Sequence, residues 1–493
     1  MNPLKKLAGQ TAVYGIPSII GRILNYLLVP LYTRVFEQAE YGVVILMYSF
    51  VAVAFIILTY GMETAFFRYS ELHKNTNRVY STSLTSILVS TSLFLFFIFL
   101  FSSDIASWIR YPGHQEYVIW LGLILAFDVV TAIPFARLRA KNRPMRFAVI
   151  KIINISVNIG FNLFFILLCP YLLNTYPEGS FTSFILLFFN QDISLIAYVF
   201  ISNLLASAVT LILLIPDMLK IRLKIDPAIW KEMIVYALPM LIAGLAGVMN
   251  ETLGRIMLRY LLPESVAEAQ LGVYSACYKV AILMSLFIQA FRYAAEPFFF
   301  SYAHNKDAKA VYADMMKYFV IAISLIFLVI MLYLDVVILM IGKDFREGVN
   351  VIPILLMAYM FLGMYYNLSV WFKLTNNTKY GAFMAFAGAV ITVVMNYLLI
   401  PVMGYTGSAW ATFACFGSML LISYLLMQKH YPIKYNLVKI SAYLLVALAV
   451  FGISEWPDWL SSIWRYIFNS ALLLLYLSFV AFNERKELKK MLH

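Results

Sequence analysis

Apolar residues occur along this chain in long blocks that recur at regular intervals and are separated by short polar connections. A block of about 20 apolar residues has the length that an α-helix needs to cross a bilayer. The pattern therefore predicts an all-α polytopic membrane protein with about fourteen spans. Their approximate bounds are 9–34, 41–63, 80–101, 115–136, 147–171, 193–216, 232–258, 270–298, 315–341, 350–372, 379–402, 405–427, 437–454 and 462–483.

Composition supports this interpretation. Of the 493 residues, 63% are hydrophobic and only 13% are charged, more apolar surface than a soluble chain of this length can bury. The three cysteines lie in separate blocks and the five histidines lie in connecting or terminal stretches, so we predict no metal site and no catalytic residue. The first apolar run is too long for a signal peptide and is predicted to remain as the first span.

The net charge of +12 is distributed unevenly over the connections. Alternate connections hold most of the lysines and arginines, which is the positive-inside pattern and predicts that both termini are cytoplasmic. The basic connections lie at 68–78, 137–151, 220–231, 306–317, 373–379 and 429–439. The positive charge is thus explained by topology, and no nucleic-acid partner is predicted.

Short sequences repeat between the two halves of the chain. The stretch 13–17 is echoed at 235–239, and Tyr41-Gly42-Val43 is echoed by Leu271-Gly272-Val273. An even number of spans separates the copies, which predicts two six-helix bundles related by a pseudo-twofold along the membrane normal, with the substrate site between them. The predicted domains are residues 1–216, residues 217–430, and residues 431–493 with two extra spans and a cytoplasmic tail.

The first span contains an arginine halfway along its apolar run. Helical geometry places Ser18, Arg22 and Asn25 on one stripe. Because an arginine in the bilayer centre costs a few kcal/mol, it should face protein or a water-filled cavity. The stripe favours a cavity wall; the alternative is an arginine that snorkels or pairs internally to fix helix packing.

Two further spans carry polar stripes. In the fifth span, asparagines at this spacing either line a cavity or bind neighbouring helices; the stripe consists of Lys151, Asn154, Asn158 and Asn162. In the eighth span, Lys279 lies at mid-depth without a nearby acidic partner in the sequence. Arg292 and Glu296 of the same span are four residues apart and could neutralise each other.

Acidic residues inside the spans are candidates for ion coupling. Asp128, near the middle of the fourth span, is a candidate for proton coupling or for a counter-ion to the first-span arginine. In the seventh span, Glu251 and Arg255 are four residues apart. This arrangement favours a structural ion pair, with a gate charge or cavity contact as the alternative.

Three stretches resemble one family. They are Pro30 to Arg34 with Glu40-Tyr41-Gly42, then 61–69, and then Asn396 to Pro401 with Gly404 and Gly407. These resemble the links after the first span, at the end of the second span and between the eleventh and twelfth spans of the polysaccharide flippases. That family exports O-antigen and capsule repeat units within the multidrug/oligosaccharidyl-lipid/polysaccharide exporter superfamily.

The resemblance implies a transporter and not an enzyme. It implies two bundles around a cationic cavity that moves an undecaprenyl-diphosphate-linked oligosaccharide to the outer leaflet of the bacterial cytoplasmic membrane by alternating access. Membrane lipids, a polysaccharide polymerase and glycosyltransferases are the expected partners. No cofactor is expected, and coupling to H⁺ or Na⁺ stays open. Arg22, Lys279 and Arg255 would offset the diphosphate charge, with the lipid tail beside spans thirteen and fourteen.

Three alternatives remain at this stage. A lipid II flippase of peptidoglycan synthesis would also have fourteen spans. A cation-coupled drug antiporter of the same superfamily would usually have twelve spans and an acidic cavity. A membrane glycosyltransferase, polymerase or ligase needs reactive groups on a substantial outward loop, and no connection here is long enough to supply them.

Overall fold

The computed structural model describes residues 24, 26–73, 75–176, 180–219, 222–303, 305–375, 377, 379–456 and 462–492, with backbone alone at 180, 181, 184, 294, 297, 462 and 486–492. Nearly all of them are helical, and no strand occurs among them. The α-helices are Leu28–Val35, Gln38–Thr59, Met62–Leu72, Thr76–Trp108, Gln115–Ala140, Pro144–Leu163, Cys169–Thr175, Ser180–Leu186, Leu195–Leu219, Pro227–Leu261, Glu264–Tyr302, Ala308–Leu332, Leu334–Val337, Val351–Leu368, Val370–Leu374, Lys379–Met403, Tyr405–His430, Leu437–Ser454 and Ser462–Leu492.

Thirteen helices in the described part of the chain are long and apolar enough to cross a membrane. They coincide one for one with the second to fourteenth predicted spans, so the all-α polytopic fold class is confirmed. The first predicted span lies outside the described residues except for its end, the helix Leu28–Val35.

The chain divides into two compact units, residues 1–272 and residues 273–493. In the first unit the seventh span, Pro227–Leu261, packs against the second span, and the fourth span packs against the third and the sixth. In the second unit the ninth span contacts the tenth and the thirteenth, and the eleventh contacts the twelfth. The predicted division into lobes at 216 and 430, with its pseudo-twofold, stays a prediction.

The link between the first and second spans is built by local capping. The Glu37 and Glu40 side chains form a capping box, in which the Glu37 N–H donates to Glu40 Oε2 at 3.0 Å. The Thr33 hydroxyl donates to the Val29 carbonyl at 2.8 Å and is buried within its own helix. These contacts give the Thr33-Arg34 and Glu40-Tyr41-Gly42 motif a structural role, because they satisfy backbone groups at a helix end.

The second span is broken into two helices at Tyr60 and Gly61, whose φ angles are 34° and 72°. This left-handed conformation favours glycine. A Cβ atom on Gly61 would also lie 2.6 Å from the carbonyl oxygen of Ala237 in the seventh span. The break therefore positions Met62–Leu72 against a buried core that includes Phe66 and Met233.

The eleventh and twelfth spans form a tight helical hairpin. Gly404 has a φ of 58° and separates Lys379–Met403 from Tyr405–His430. A Cβ on Gly407 would lie 2.4 Å from the Leu399 carbonyl oxygen. The glycine spacing that resembles the family motif is thus required by the turn and by the close helix contact.

The last two spans are fixed to the ninth span within the second unit. The carboxylate of Glu484, in the fourteenth span, is almost fully buried and accepts hydrogen bonds from Lys317 at 2.8 Å, Lys439 at 2.9 Å and Tyr443 at 2.5 Å. Near the other end of the span, Asn469 Nδ2 donates to the Leu332 carbonyl at 2.6 Å. The fourteenth span is therefore attached to the ninth at both ends by polar contacts, and the thirteenth is joined to them at the Glu484 end.

Candidate functional site

A polar cavity of about 330 Å³ lies inside the first unit, between the second, fourth, fifth and sixth spans. Four charged side chains and several amides and hydroxyls line it, which is unusual for a site inside an apolar bundle. The lining residues are Phe55, Glu63, Asp128, Thr131, Ala132, Phe135, Arg139, Phe147, Lys151, Asn154, Asn203, Ser207 and Thr210. The volume is sufficient for several water molecules.

Asp128 brings a carboxylate into this cavity from the middle of the fourth span. Its Oδ1 accepts a hydrogen bond from the Ser207 hydroxyl at 2.8 Å, which anchors it to the sixth span. Beside it, Asn203 Nδ2 donates to the Tyr48 hydroxyl at 2.9 Å and so joins the sixth span to the second. The carboxylate is thus held by polar contacts but still faces the cavity.

Lys151 approaches the same cavity from the fifth span. Its ammonium lies 4.3 Å from the centre of the Phe135 ring, a distance that allows a cation–π interaction. The charges of Asp128, Arg139 and Glu63 all act on it. A proton or cation that binds the Asp128 carboxylate removes the negative charge that faces Lys151.

The pair Glu63 and Arg139 lies at the end of the cavity near the predicted cytoplasmic side. The two side chains form an ion pair and are each about one third exposed (36% and 34%). The Arg139 guanidinium also lies 5.0 Å from the Phe67 ring centre. Two carboxylates and two cations therefore balance in the cavity, and the exposed pair gives it a route towards water.

The residues of the polar stripe in the fifth span have two different roles. Asn154 lines the cavity and donates to the Thr210 hydroxyl at 2.9 Å. Further along, Asn162 is fully buried; it accepts from the Tyr32 hydroxyl at 2.7 Å and donates to Asn158 Oδ1 at 3.0 Å. The Tyr32 contact binds the helix Leu28–Val35 to the fifth span, whereas the Asn158 contact lies within the fifth span. The stripe thus combines both roles that its spacing allows.

The remaining candidates are distributed over both units. Ser18, Arg22 and Asn25 lie outside the described residues. Arg255 in the first unit and Lys279 in the second are partly buried, and Glu251 is exposed.

The expected neutralisation of Arg292 by Glu296 is not what the structure shows. Glu296 forms its ion pair with Lys373 of the tenth span. The Arg292 guanidinium instead lies 4.1 Å from the centre of the Tyr366 ring. The tertiary fold provides closer partners than the next helical turn does.

Sequence reasoning missed three clusters of paired charges inside or at the ends of the spans. These are Glu63 with Arg139, the Glu484 junction, and a group around Arg259 and Glu268, whose side chains are 3.2 Å apart. Except for the last pair, their members are tens to hundreds of residues apart in the chain. The available signal was charge inside or at the end of a span, which marks a residue but does not identify its partner.

The helical architecture is similar to that of several solved membrane transporters. An inward-closed structure of the lipid II flippase MurJ superposes with a TM-score of 0.69 at 13% identity, over 96% of this chain and 99% of that one. An inward-facing multidrug-resistance MATE transporter superposes with a TM-score of 0.59 at 14% identity, over 90% and 95% of the two chains. A transporter of the same superfamily from Pyrococcus furiosus gives 0.57 at 14% identity, over 90% and 98%. At these identities the likeness concerns the fold alone.

The fold, with its polar cavity inside a bundle of spans, is similar to the fold of these transporters. A family model described as "Polysaccharide biosynthesis protein" matches residues 7–303. The chain belongs to this polysaccharide biosynthesis protein family. No curated protein matches the chain by sequence.

Proposed function

We propose that this protein is a flippase that moves an undecaprenyl-diphosphate-linked oligosaccharide, a repeat unit of a surface polysaccharide, from the cytoplasmic to the outer leaflet of the bacterial cytoplasmic membrane. The observation that carries the proposal is the polysaccharide biosynthesis family match over more than half of a chain with this transporter fold. Lipopolysaccharide O-antigen is one such cargo. Both termini are cytoplasmic in this proposal, as the distribution of basic connections predicts.

The diphosphate head needs positive charge to cross hydrocarbon, because an unpaired anion there costs many kcal/mol. Arg22, Arg255 and Lys279 supply that charge in the proposed cycle, and Ser18 and Asn25 supply hydrogen bonds. Alternating access exposes them first to one leaflet and then to the other.

The lipid tail needs an apolar route beside the bundle. The second unit has an apolar groove of about 250 Å³ between the ninth, tenth and thirteenth spans. Its walls include Phe327, Met360, Phe361 and Leu445, with Ser441 at the edge. An isoprenoid chain fits this chemistry, and the contacts of Glu484 attach the thirteenth span to the ninth, so the groove keeps its shape during a cycle.

The cavity around Asp128 and Lys151 is the coupling site of the proposed cycle. Binding of H⁺ or Na⁺ changes the charge that faces Lys151, which alters the energy of the packed helices. Asp128→Asn is expected to remove the dependence of transport on an ion gradient. The matched control is Asp192→Asn, which changes an exposed aspartate of a connection. An Asp128→Asn variant with undiminished gradient dependence would exclude this site.

The direct test measures translocation of a labelled lipid-linked oligosaccharide in proteoliposomes. The readout is how much of the labelled head group is accessible from each side of the membrane. Arg22→Ala with Lys279→Ala is expected to slow translocation by about 10-fold for each cation removed, the effect of losing a charge-assisted hydrogen bond of about 1.5 kcal/mol. Lys306→Ala with Lys429→Ala, two exposed lysines, is the control. Unchanged translocation in the first double variant would refute the cationic site.

Lipid II flipping is the second candidate, favoured by the coverage of 96% of this chain by the MurJ fold. Both cargoes share a polyprenyl diphosphate, so the same cations serve either. Rescue of a strain that lacks lipid II flipping would select this candidate. Rescue of a strain that lacks a repeat-unit flippase, but not of the strain that lacks lipid II flipping, would select the polysaccharide cargo. Ion-driven efflux of a cationic dye would instead indicate a drug antiporter.

A further inference from the structure

Two helices of the first unit cross at glycines with almost no space between their backbones. A Cβ atom on Gly42 would lie 2.1 Å from the carbonyl oxygen of Glu268, and one on Gly272 would lie 2.0 Å from the carbonyl oxygen of Gln38. Any side chain at either glycine would therefore separate the helices. Small residues allow this kind of close crossing in membrane proteins.

The crossing is reciprocal. Gly42 contacts the residue four positions before Gly272, and Gly272 contacts the residue four positions before Gly42. The two glycines also occupy equivalent places in the sequence repeat, Tyr41-Gly42-Val43 and Leu271-Gly272-Val273. A repeat that was visible only as a sequence echo thus forms a local twofold contact between the start of the second span and the start of the eighth.

A cluster of charged and polar groups lies at the same crossing. Arg259 is only 4% exposed, and its Nη2 lies 3.2 Å from Glu268 Oε1. The Tyr111 hydroxyl donates to the same carboxylate oxygen at 2.5 Å, and Arg259 Nη2 donates to the Arg110 carbonyl at 3.3 Å. Burial and the Glu268 carboxylate raise the pKa of Tyr111 well above its ordinary value, so this hydroxyl stays protonated as a donor.

These contacts join the connection between the third and fourth spans to the connection between the seventh and eighth. By the distribution of basic residues, both connections lie on the outward side. The seventh and eighth spans are also the ones that the repeat equates with the first and second. Any opening between these repeat-related spans on this side must therefore separate Tyr111 from Glu268 and Gly42 from Gly272.

We infer that Gly42, Gly272, Tyr111, Arg259 and Glu268 form an outer latch, which holds the outward ends of these spans together and must open to release cargo to the outer leaflet. The inference rests on the proposed alternating-access function. The chemistry suits a reversible contact, because the groups that cross it are polar: Tyr111 donates to Glu268, and Arg259 donates to the Arg110 carbonyl. Such groups gain hydration when they separate, which offsets part of the lost hydrogen-bond energy. The glycines allow close backbone contact in the closed form, and the hydration that the polar groups gain on separation allows this form to open.

The first test measures a distance and needs no transport. Spin labels are placed at Gln115→Cys and Ser265→Cys, two exposed positions beside the two connections, in the full chain in lipid nanodiscs, with the buried native cysteines replaced. Gly42→Ala and, separately, Glu268→Gln are expected to raise the ratio of long to short label distances by about tenfold or more. Gly160→Ala is the control, because a Cβ there meets no atom within 4 Å. Distance distributions of both variants that match the control would overturn the latch.

The second test locks the contact. Arg110 and Glu264 form a more exposed ion pair beside the latch, 3.4 Å apart, so cysteines at these positions should leave translocation nearly unchanged. A cleavable thiol crosslinker between them is expected to stop translocation, and cleavage to restore it. Full activity in the crosslinked state would overturn the latch. If the parent protein translocates no lipid-linked sugar, the proposed function fails while the distance measurement still decides the latch.

Discussion

The Glu484 junction allows a quantitative prediction about how the two extra spans are held. Glu484 is 1% exposed and accepts three hydrogen bonds, two of them from lysines. One of these, Lys317, is itself only 4% exposed. Replacing Glu484 by glutamine leaves the Lys317 charge buried without its main partner.

The expected loss follows from that burial. Removal of one partner of a buried ion pair costs about 3–5 kcal/mol, most of it from the charge left behind. The Tyr443 hydroxyl can still donate to a glutamine oxygen, so its contribution is largely retained. We therefore expect Glu484→Gln to lower the free energy of unfolding by about 3 kcal/mol.

The chain offers a matched control at the same lysine. Asp314 lies 3.4 Å from Lys317 Nζ, but its side chain is 59% exposed. An exposed pair contributes less than about 1 kcal/mol, so Asp314→Asn should change stability little. The assay is unfolding of the purified full chain in one detergent, followed by heat and by denaturant. Equal losses in Asp314→Asn and Glu484→Gln would refute the argument from burial.

A double variant tests whether the pair acts as a unit. Lys317→Met alone leaves a buried carboxylate that keeps Lys439 and Tyr443 as partners. In combination with Glu484→Gln, the total loss should fall short of the sum of the single losses by about 1–3 kcal/mol, because the residues share one interaction. Strict additivity would show that each side chain acts through a separate contact.

Further predictions concern backbone conformation and buried arginine. Gly61→Ala should lower the free energy of unfolding by more than about 1 kcal/mol, because an alanine is strained at this positive φ and its Cβ would approach the Ala237 carbonyl oxygen. Gly160→Ala, the control, should be neutral or slightly stabilising in the same unfolding assay. Arg137→Ala should cost about 2–4 kcal/mol, because this buried guanidinium donates to the Asp217 carbonyl at 3.0 Å and lies 4.1 Å from the centre of the Tyr80 ring. If Arg137→Ala lowered the free energy of unfolding by less than about 0.5 kcal/mol, as a surface substitution does, this prediction would be wrong.

Hydrophobic length was a sufficient guide to the spans. All thirteen spans in the described part of the chain coincide with predicted blocks, because a bilayer requires about 20 apolar residues in a helix regardless of what packs beside it. The glycine motifs were likewise visible from the sequence. Gly407 and Gly42 prove to be places where another backbone approaches too closely for a side chain.

The partners of charged residues could not be obtained in the same way. Asp128 was identified as a candidate from its depth in the fourth span, but its contact with Ser207 and its position opposite Lys151 depend on how three helices pack. From its spacing Glu296 could neutralise Arg292 one turn away, but the tenth span supplies Lys373 as its partner instead. Helical periodicity relates residues on one helix only, so it carries no information about the facing helix.

The sequence by itself therefore determined the fold class, the thirteen spans in the described part of the chain and the residues that are costly to bury. These properties depend on local transfer free energies and on helix geometry, which can be read along one segment. Only the tertiary structure decided which of those residues meet: a polar cavity in the first unit with two carboxylates and two cations, a glutamate that binds two lysines in the second, and two glycines in contact where the second and eighth spans cross. Those outcomes depend on distances between segments far apart in the chain, and packing of many side chains at once sets them.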